Sequence, residues 1–517
     1  MTYRDGGLAI DSETRRRELL ICAFAAAAFL IHLATDGRYG YFRDELYFLD
    51  AAHHLAWGYV DFAPLTAWLL RLNEAVLGDS LHALRLLPAI AAAIKVALTG
   101  LLAIEFGADL FGIGLACLCV LAAPVYLVID NQFAANTFEP LFWMGCAYVL
   151  ILAIKYDRPH LLIWFGLLAG VGIENKLSML FFCAAIFVGL LLTPARTLLR
   201  SRWAAAAMLI ATMCFLPTLM WQYHRDWPTL QMLANSQRMH VNDHLSALEF
   251  LVRQIMMLGP ASALVWIPGL WFLLRSRRDS RLRAFGISYL ALLATMMMLG
   301  AKDYYLAPIY PFLFAGGGAF WSTVVVRRRW FAKYAIPILV IIGGMISAPV
   351  ALPILPPEEL VRYEESIGIR NPRSQTGQQG SLTEHFGDEF GWPEMAAAVA
   401  RVYHGLPAED RAQAVILAKN YGEAGAIDFF GPALGLPRAI SGHQNYWYWG
   451  PRDYTGGVLI ALQYSREELL KLGCTSVEDG PVVSHPYSMN EEHFRITVCR
   501  ALHPSLAEQW PKLKRWD

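Results

Sequence analysis

The chain has 517 residues, of which 56% are hydrophobic and 17% charged, and its formal net charge is zero. Its mean hydropathy is positive, and its apolar residues fall in repeated runs of about 17 to 25, the length that spans a bilayer, so the composition predicts a polytopic membrane protein. Neutral net charge provides no basic field of the kind that nucleic-acid binding needs, which excludes nucleic acid as a partner.

The first apolar run follows Arg15, Arg16 and Arg17, an order that superficially resembles a signal peptide. No small-residue cleavage site follows the run, and Asp36 leads instead into an acidic stretch. We therefore expect a retained first helix.

Eleven apolar runs are each about long enough to cross a bilayer, the one at 161–174 being the weakest. They cover roughly residues 19–35, 83–104, 111–129, 138–155, 161–174, 177–193, 203–221, 248–274, 284–300, 304–325 and 334–355. If each run crosses, the Lys and Arg residues of the short connections collect on one side, which the positive-inside rule assigns to the cytoplasm. The N-terminus is then cytoplasmic, and the polar tail from about residue 356 lies outside.

Glycines and prolines within these runs predict local features of a helical bundle. Gly166 and Gly170 either offer a small-residue face for close helix packing or are two ordinary glycines in a chain that has 40. Pro260 and Pro268 are expected to bend or end their span, which neighbouring helices can tolerate.

The outer connections, 36–82, 130–137, 175–176, 222–247 and 301–303, hold most of the unusual polar residues. Within 36–82, apolar residues from Leu65 to Val76 repeat at helical spacing, the pattern of a helix that lies in the membrane interface. Residues 44–54 predict a shorter companion helix, and residues 228–240 predict another interfacial segment.

From residue 356 the composition changes to that of a soluble domain. Alternating helical and strand patterns predict helices at 393–403, 422–429 and 465–472, strands at 413–419 and 457–463, and a hairpin that closes at 494–498. This order is typical of a small α/β domain. Cys474 and Cys499 bracket the hairpin and either form a disulfide or remain free thiols.

Several motifs of soluble enzymes are absent from the sequence. It contains no GxxxxGK[ST] phosphate loop, no GxGxxG after a strand, no HExxH, no GxSxG and no CxxC pair. ATP hydrolysis and redox cofactors are therefore not expected.

Polar groups stand instead at the outer ends of the spans, where an unpaired charge is costly and usually has a purpose. They include Asp44 and Glu45, Asp61, Asn136 with Glu139, Glu174 with Lys176, Arg225, and Lys302 with Tyr304 and Tyr305. Carboxylates that can deprotonate a hydroxyl, together with cations that can hold a phosphate, favour group transfer from a lipid-phosphate donor.

Five segments in this order, FRDELYFLDAAHHLAWGYVDFAPL, LRLLPA, NTFEPLFW, ENKLSML and KDYYLAPIYP, resemble the bacterial membrane glycosyltransferases of family 39 type, the protein-mannosyltransferase and aminoarabinose-transferase superfamily with the GT-C fold. The likeness covers about residues 36–325. It implies a polyprenyl-phosphate-sugar donor and an inverting transfer on the outer face of the cytoplasmic membrane. AKNYGEAGAIDFFGP and SGHQNYWYWGP also resemble the soluble domain of many bacterial members.

The resemblance implies roles for individual residues. Asp44 matches the acid of the first outer loop, the expected base or acceptor-orienting group, and Asp61 matches a second acid. Lys176 and Tyr305 match residues expected near the donor phosphate. The aminoarabinose-transferase branch has a Lys straight after the second acid where this chain has Phe62, so the phosphate is expected to be held by Lys176, Lys302 or Arg225.

Structural interpretations remain open for most of these residues. Asp44 and Glu45 could favour a helix dipole, and Asn136 and Glu139 could cap a helix, so Glu45, Asn136 and Glu139 are second-tier candidates. Lys176 and Lys302 could extend to the membrane interface. No cofactor is predicted with certainty and no metal ligands are assigned, although the outer acids could bind a divalent cation without a recognisable spacing.

The predicted fold is an all-α polytopic membrane bundle of GT-C type with about 11 transmembrane helices in residues 1–355, followed by an external α/β domain in 356–517. The predicted function is transfer of a sugar from a polyprenyl-phosphate donor to a hydroxyl of a lipid, glycan or protein acceptor at the inner membrane. The alternatives are a transporter or flippase of lipid-linked sugars and a binding or scaffold module. Neither the sugar nor the acceptor is identified by the sequence.

Overall fold

A computed structural model of the chain describes residues 5–238, 245–276, 279–327, 330–370, 379–454 and 457–517. Helices α1–α8 are Asp5–Thr35, Arg43–His53, Leu65–Leu77, Leu81–Glu105, Leu110–Ala122, Pro124–Ile129, Ala135–Lys155 and Leu162–Asn175. Helices α9–α16 are Met179–Leu191, Arg202–Tyr223, Pro228–Arg238, Ala247–Met257, Ala263–Leu274, Arg283–Met298, Tyr310–Arg327 and Ala332–Ala351.

The later part of the chain mixes helices with strands. Helices α17–α24 are Pro357–Ser366, Glu384–Gly387, Trp392–Gly405, Ala408–Gln413, Tyr421–Phe430, Tyr446–Trp449, Arg466–Leu472 and Leu506–Gln509. Strands β1–β5 are Ala414–Ala418, Ala439–Ser441, Val458–Ala461, Cys474–Val483 and Phe494–Leu502. The mostly helical architecture with a small sheet confirms the predicted fold class.

The described residues form two compact units. The first unit draws on 1–36, 85–219 and 244–354, and the second unit draws on 37–84, 220–243 and 355–517. The first outer loop therefore clusters with the C-terminal segment rather than with the apolar helices. The division of the chain near residue 355 into a transmembrane and an external domain stays a prediction.

Five of the described helices are long and apolar enough to cross a membrane, and up to seven spans result if each of two bent pairs is one span. The five are Ser12–Thr35, Leu81–Glu105, Ala135–Lys155, Arg202–Tyr223 and Ala332–Ala351. These helices and the fold described below make the chain a multi-pass membrane protein. The eleven predicted spans are not confirmed, because several apolar runs form helices that are too short or that break or bend within the run.

The remaining runs form helices that are short, broken or bent. Residues 161–174 and 177–193 give α8 and α9, of 14 and 13 residues. The run at 111–129 breaks between α5 and α6, where Pro124 begins a new helix. The run at 248–274 bends by 98° between α12 and Pro260, as expected for a proline that cannot continue the preceding helix.

Helix α8 packs closely against α10 within the first unit. A Cβ atom added at Gly166 would lie 2.4 Å from the carbonyl oxygen of Ala207, and one added at Gly170 would lie 2.6 Å from Cβ of Cys214. Both distances are far below van der Waals contact, so only glycine fits. The close-packing interpretation of the two glycines is therefore confirmed.

Helix α7 separates two groups of connections in the first unit. At its N-terminal end, Asn175 donates a hydrogen bond to the carbonyl of Ala135, and Lys176 lies beside Tyr305. At its other end, Lys155 pairs with Glu105 at 2.8 Å. A helix of 21 residues is about 31 Å long, so within the first unit the contacts among 135, 175–176 and 305 lie at one end of α7 and the contact between Glu105 and Lys155 lies at the other. The assignment of either end to a compartment stays a prediction.

The sheet of the second unit has the strand order β2-β1-β3-β5-β4. Strand β1 pairs in parallel with β2 and β3, whereas β5 pairs antiparallel with β3 and β4. All of β1 is buried, and a disulfide joins Cys474 of β4 to Cys499 of β5. The structure thus contains the α/β arrangement predicted for this part of the chain and pairs the two cysteines that the sequence left open.

Substitution at the α8–α10 contact should destabilise the protein. Gly166→Ala must push apart two backbones, and overpacking of this kind costs about 1 to 3 kcal/mol. Gly114→Ala is the matched control because its Cβ would lie 3.6 Å from Leu20, an ordinary contact. We expect a lower melting temperature in detergent for Gly166→Ala only; equal melting temperatures for both variants would contradict the packing.

Candidate active site

Helix α2 carries the first candidate acid, and its N-terminus is stabilised by its own sequence. The backbone N–H of Phe42 donates to a carboxylate oxygen of Glu45 at 2.8 Å, which satisfies a donor that the first helical turn leaves unpaired. The Glu45 side chain is buried in this role. The structure therefore places Glu45 in the helix cap, one residue away from Asp44.

Asp44 is held by a tyrosine from the C-terminal segment. The Tyr421 hydroxyl donates to Oδ1 of Asp44 at 2.8 Å, and 33% of the Asp44 side chain is exposed, so a substrate can reach the carboxylate. Helix α21 approaches α2 closely at Gly425, where an added Cβ would lie 2.8 Å from the backbone of Leu46. Glycine has no Cβ and therefore permits this approach. The small residue is what brings Tyr421 within hydrogen-bonding distance of Asp44.

Asp61 has a tyrosine partner of its own. The hydroxyl of Tyr47 donates to Oδ1 of Asp61 at 2.9 Å and accepts hydrogen bonds from the backbone and side-chain amides of Asn445, at 3.2 and 2.8 Å. The rings of Tyr47 and Tyr421 stack with centroids 4.6 Å apart. The two candidate acids are thus bound to two stacked phenols.

Asp61 titrates in an unusual range. Burial raises the pKa of its carboxyl to about 7, although the hydrogen bond from Tyr47 opposes the rise and the nearby charge of Asp44 adds to it. When Asp61 is ionised, both of its oxygens can only accept hydrogen bonds. When it is protonated, its O–H can donate one. Asp61 can therefore change its protonation near neutral pH.

Arg43 balances part of the negative charge around Asp44. Its guanidinium pairs with Glu491 at 2.8 Å and with Asp388 at 3.4 Å. Burial raises the pKa of Asp388 to about 7, and the charge of Arg43 counteracts this. Arg43 is engaged by these acids and does not stand ready for a phosphate.

Phe62 packs into an aromatic cluster beside Asp61. Its ring lies 4.3 Å from that of Tyr59 and 4.9 Å from that of Phe48. A basic side chain would lose these contacts. The position next to the second acid is therefore built for packing in this chain.

Lys176 lies at the predicted outer end of the first unit, beside one acid, one amide and two aromatic rings. Its ammonium is 3.0 Å from Glu139, donates to Asn136, and lies 4.7 Å from the ring centroid of Tyr305 and 5.7 Å from that of Tyr304. Glu139 also accepts from Ser178. The structure brings five of the residues singled out in the sequence together here, and Asn136 and Glu139 contact a cation instead of only capping α7.

Lys302 and Arg225 have different surroundings. Lys302 is half-buried in the first unit, and its carbonyl accepts from the backbone N–H of Tyr305. Arg225 belongs to the second unit, where its guanidinium lies 4.6 Å from the ring of Trp221 and 5.5 Å from that of Tyr448. A guanidinium between two aromatic faces is a cation–π contact, which can be structural in its own right.

Sequence reasoning missed the two tyrosines that contact the candidate acids and the asparagine that contacts one of these tyrosines. Tyr47, Tyr421 and Asn445 belong to segments quoted for the family resemblance, but no spacing links them to Asp44 or Asp61. Lys95 did leave a signal, a lone charge inside the apolar run 83–104. Its ammonium lies 2.6 and 2.8 Å from the two carboxylate oxygens of Asp130, and both side chains are buried.

Metal ligands are not clustered in the described part of the chain, which contains no group of three or more His, Cys, Asp and Glu side chains that could hold a metal ion. His53 pairs with Glu74 at 3.0 Å, and Nδ1 of His54 lies 2.9 Å from the carbonyl of Asp50. The two histidines therefore have separate partners.

The fold and part of the sequence match known proteins. Residues 61–221 match the family described as dolichyl-phosphate-mannose-protein mannosyltransferase. The crystal structure of ArnT from Cupriavidus metallidurans bound to undecaprenyl phosphate superposes with a TM-score of 0.58 at 14% identity, covering 93% of this chain and 98% of that one. The chain has the GT-C fold, and the family match is confined to residues 61–221. This confirms the resemblance predicted from the motifs.

A second GT-C structure superposes less completely. The archaeal oligosaccharyltransferase AglB from Archaeoglobus fulgidus, in complex with an inhibitory peptide and a dolichol-phosphate, gives a TM-score of 0.50 at 10% identity and covers 79% of this chain and 63% of that one. At such identities the likeness establishes the fold alone. No protein with a curated description matches the sequence.

The protonation of Asp61 should make stability depend on pH. The carboxyl has a pKa of 3.8 when solvated and about 7 in the fold, so folding is most favourable below pH 4 and loses this contribution as pH rises through 7. Asp61→Asn keeps an acceptor for Tyr47 and removes the titration. We expect a higher melting temperature than wild type at pH 8 and little difference at pH 4; the same difference at both pH values would contradict the raised pKa.

Proposed function

We propose that this GT-C protein transfers a sugar from a polyprenyl-phosphate donor to a hydroxyl of a cell-envelope acceptor, on the outer face of the cytoplasmic membrane. The observation that carries the proposal is the pair of acids Asp44 and Asp61, each hydrogen-bonded to a tyrosine hydroxyl at 2.8 and 2.9 Å. One acid is exposed enough to meet a substrate, and the other titrates near neutral pH. An exposed acid beside a carboxyl that titrates near neutral pH suits proton transfer.

A lipid phosphate is the donor that the relatives favour. The ArnT structure holds undecaprenyl phosphate, the AglB structure holds a dolichol-phosphate, and the matching family is described by a dolichyl-phosphate sugar. All three molecules are a polyprenyl chain with a phosphate. A donor of this class also needs no nucleotide-binding motif, in agreement with the motifs that the sequence lacks.

The proposed reaction is a direct displacement at the anomeric carbon. The acceptor oxygen attacks from the face opposite the phosphate, the bond between the anomeric carbon and the phosphate oxygen breaks, and the polyprenyl phosphate leaves with that electron pair. Asp44 takes the acceptor's proton, and Asp61 assists as a carboxylate that orients the acceptor. The anomeric configuration inverts in a single step of this kind.

Lys176 is the residue we propose for the leaving phosphate. Its ammonium is held on one side by Glu139 and on the other by the rings of Tyr304 and Tyr305, which fixes its position before any donor binds. A pre-positioned cation stabilises developing negative charge without reorganisation. Tyr305 and Lys302 are proposed to add to this site, and Arg225 is a further candidate for the donor phosphate.

Substitution of Asp44 tests the function in cells. Asp44→Asn should leave inserted protein and reduce transfer about 100-fold to 1000-fold, because removal of one group that acts in the transition state typically costs that much. Asp79→Asn, in the same loop, is the matched control. Mass spectrometry of envelope lipids, glycans and proteins should show one sugar missing in Asp44→Asn cells and in cells without the gene; the sugar's presence in Asp44→Asn cells would contradict the proposal.

Substitution of Lys176 tests the donor site separately. Lys176→Gln removes the cation beside Glu139, and a photoreactive polyprenyl-phosphate analogue should then label the protein weakly. Lys155→Gln is the control because Lys155 also pairs with a glutamate, at 2.8 Å, but at the other end of α7. Equal labelling of the two variants would exclude Lys176 from the donor site. Labelling together with movement of intact donor across the bilayer would favour a flippase.

A further inference from the structure

The C-terminal part of the chain places two polar side chains directly on the acid site of the second unit. Tyr421 begins helix α21, and Asn445 directly precedes helix α22. Tyr421 contacts Asp44, and Asn445 contacts both Tyr47 and the backbone N–H of Val60, which adjoins Asp61. Neither residue has a role in the reaction as proposed above.

Tyr421 is itself fixed at several points. Its backbone N–H donates to Nδ1 of His443 at 3.2 Å, so the other ring nitrogen of a neutral His443 carries the proton and donates to Asp517 at 3.0 Å. Its ring stacks on His443 at 5.0 Å and on Tyr47 at 4.6 Å. The direction of its hydroxyl toward Asp44 is therefore set by the C-terminal segment.

Asn445 determines where the Tyr47 proton points. A phenol oxygen has one proton and can accept two hydrogen bonds. Tyr47 accepts from the backbone N–H of Asn445 and from its side-chain amide, and the one proton that remains must then be donated to Asp61. Tyr47 and Asn445 are both buried, so water does not readily replace either partner.

We propose that the C-terminal segment completes the catalytic centre, with Tyr421 positioning Asp44 and with Asn445, acting through Tyr47, positioning Asp61. Each acid then presents its second carboxylate oxygen to the acceptor in a fixed direction. Tyr421 and Asn445 are positioning residues that need not touch the substrate. The inference rests on the proposed function for its kinetic part and on the hydrogen-bond geometry for the rest.

Removal of a single hydroxyl tests the Tyr421 contact. Tyr421→Phe retains both ring stacks, so the protein should fold with a melting temperature close to wild type. We expect kcat to fall about tenfold or more, the loss typical for a hydrogen bond to a charged group, while KM for the lipid donor stays unchanged. Tyr454→Phe is the matched control, since its hydroxyl donates to the carbonyl of Arg438, at 3.3 Å, and not to a candidate acid.

Reversal of one hydrogen bond tests the Asn445 contact. In Asn445→Asp a carboxylate oxygen replaces the amide that donates to Tyr47, so the Tyr47 proton turns toward residue 445 and away from Asp61. The pKa of Asp61 should rise, and so should the pH at which its carboxyl band in the infrared spectrum titrates. Asp61→Asn identifies the band, and Asn445→Ala separates the lost donor from the added charge.

The titratable groups that bear on this band are known from the structure. Among the described residues, Asp61 interacts electrostatically with Asp44 and with the phenols of Tyr47 and Tyr421. Asp44 is the carboxyl among these three groups. The infrared titration is therefore repeated in an Asp44→Asn background. This control shows whether the observed titration belongs to Asp61 alone or to the pair of acids.

The outcomes separate the two proposals. Lower kcat in Tyr421→Phe together with a shifted titration in Asn445→Asp and Asn445→Ala would support the positioning roles. Unchanged turnover in Tyr421→Phe, or an unchanged titration in both Asn445 variants, would overturn the role of that residue. If the wild type transfers no sugar, the proposed function fails. The infrared titration of Asp61 in the Asn445 variants then still tests the role of Asn445, and an infrared titration of Asp44 in Tyr421→Phe tests the role of Tyr421.

Discussion

The cost of burying charge is the constraint that shapes this chain. An ionised carboxylate or ammonium that leaves water needs a partner, or it loses its charge. Asp61 is hydrogen-bonded to Tyr47, Lys176 is paired with Glu139, and Lys95 is paired with Asp130. Tyr47 lies in the same loop as Asp61, whereas the partners of Lys176 and Lys95 come from other segments of the chain, so these two charges also determine which segments must meet.

In the second unit, the partner of Asp61 is a tyrosine hydroxyl, and this affects the pKa of the acid. A tyrosine hydroxyl is a weaker partner than a cation because it donates one hydrogen bond and carries no charge. Asp61 therefore keeps a pKa near 7, where a salt bridge would have lowered it. A carboxyl whose pKa lies near 7 is suited to proton transfer at neutral pH.

In the first unit, buried charges are paired with an opposite charge instead of a hydroxyl. Asp130 ends helix α6 and precedes the turn into α7, which carries Asn136 and Glu139. The pair of Asp130 with Lys95, which is fully buried on α4, anchors this turn. A salt bridge in such surroundings adds little stability in comparison with apolar packing but strongly disfavours any arrangement that separates it. Lys176 then contacts Glu139 and Asn136, which follow this turn on α7.

Much of the fold follows from local patterns in the sequence. Residues 414–418 and 458–461 form strands where short apolar runs predict them, and the helix predicted at 465–472 begins with a cap in which Ser465 and Glu468 exchange hydrogen bonds. Span number was less predictable, because apolar length does not reveal that Pro124 breaks one run or that the chain bends before Pro260. Hydropathy measures transfer into the bilayer, whereas backbone geometry decides where a helix ends.

The candidate site was predictable only in part. Asp44, Asp61 and Lys176 stand out because charges beside long apolar runs are rare. Tyr421 and Asn445 do not stand out, because polar aromatic and amide residues are common in any soluble segment. They lie 377 and 398 positions from Asp44 and Tyr47 respectively, and the packing of the C-terminal segment on α2 brings them together. Contacts over such separations are a property of the tertiary structure.

The most direct test of the proposed function is the fate of the donor lipid in a defined bilayer. The purified full-length chain would be reconstituted into liposomes that contain polyprenyl-phosphate sugars from a membrane extract, with an envelope extract as the acceptor. Mass spectrometry would follow the sugar-linked and free forms of the lipid. We expect free polyprenyl phosphate to accumulate only when acceptor is present, with the sugar recovered on the acceptor. Recovery of all the donor intact, on either side of the bilayer, would contradict the proposed function.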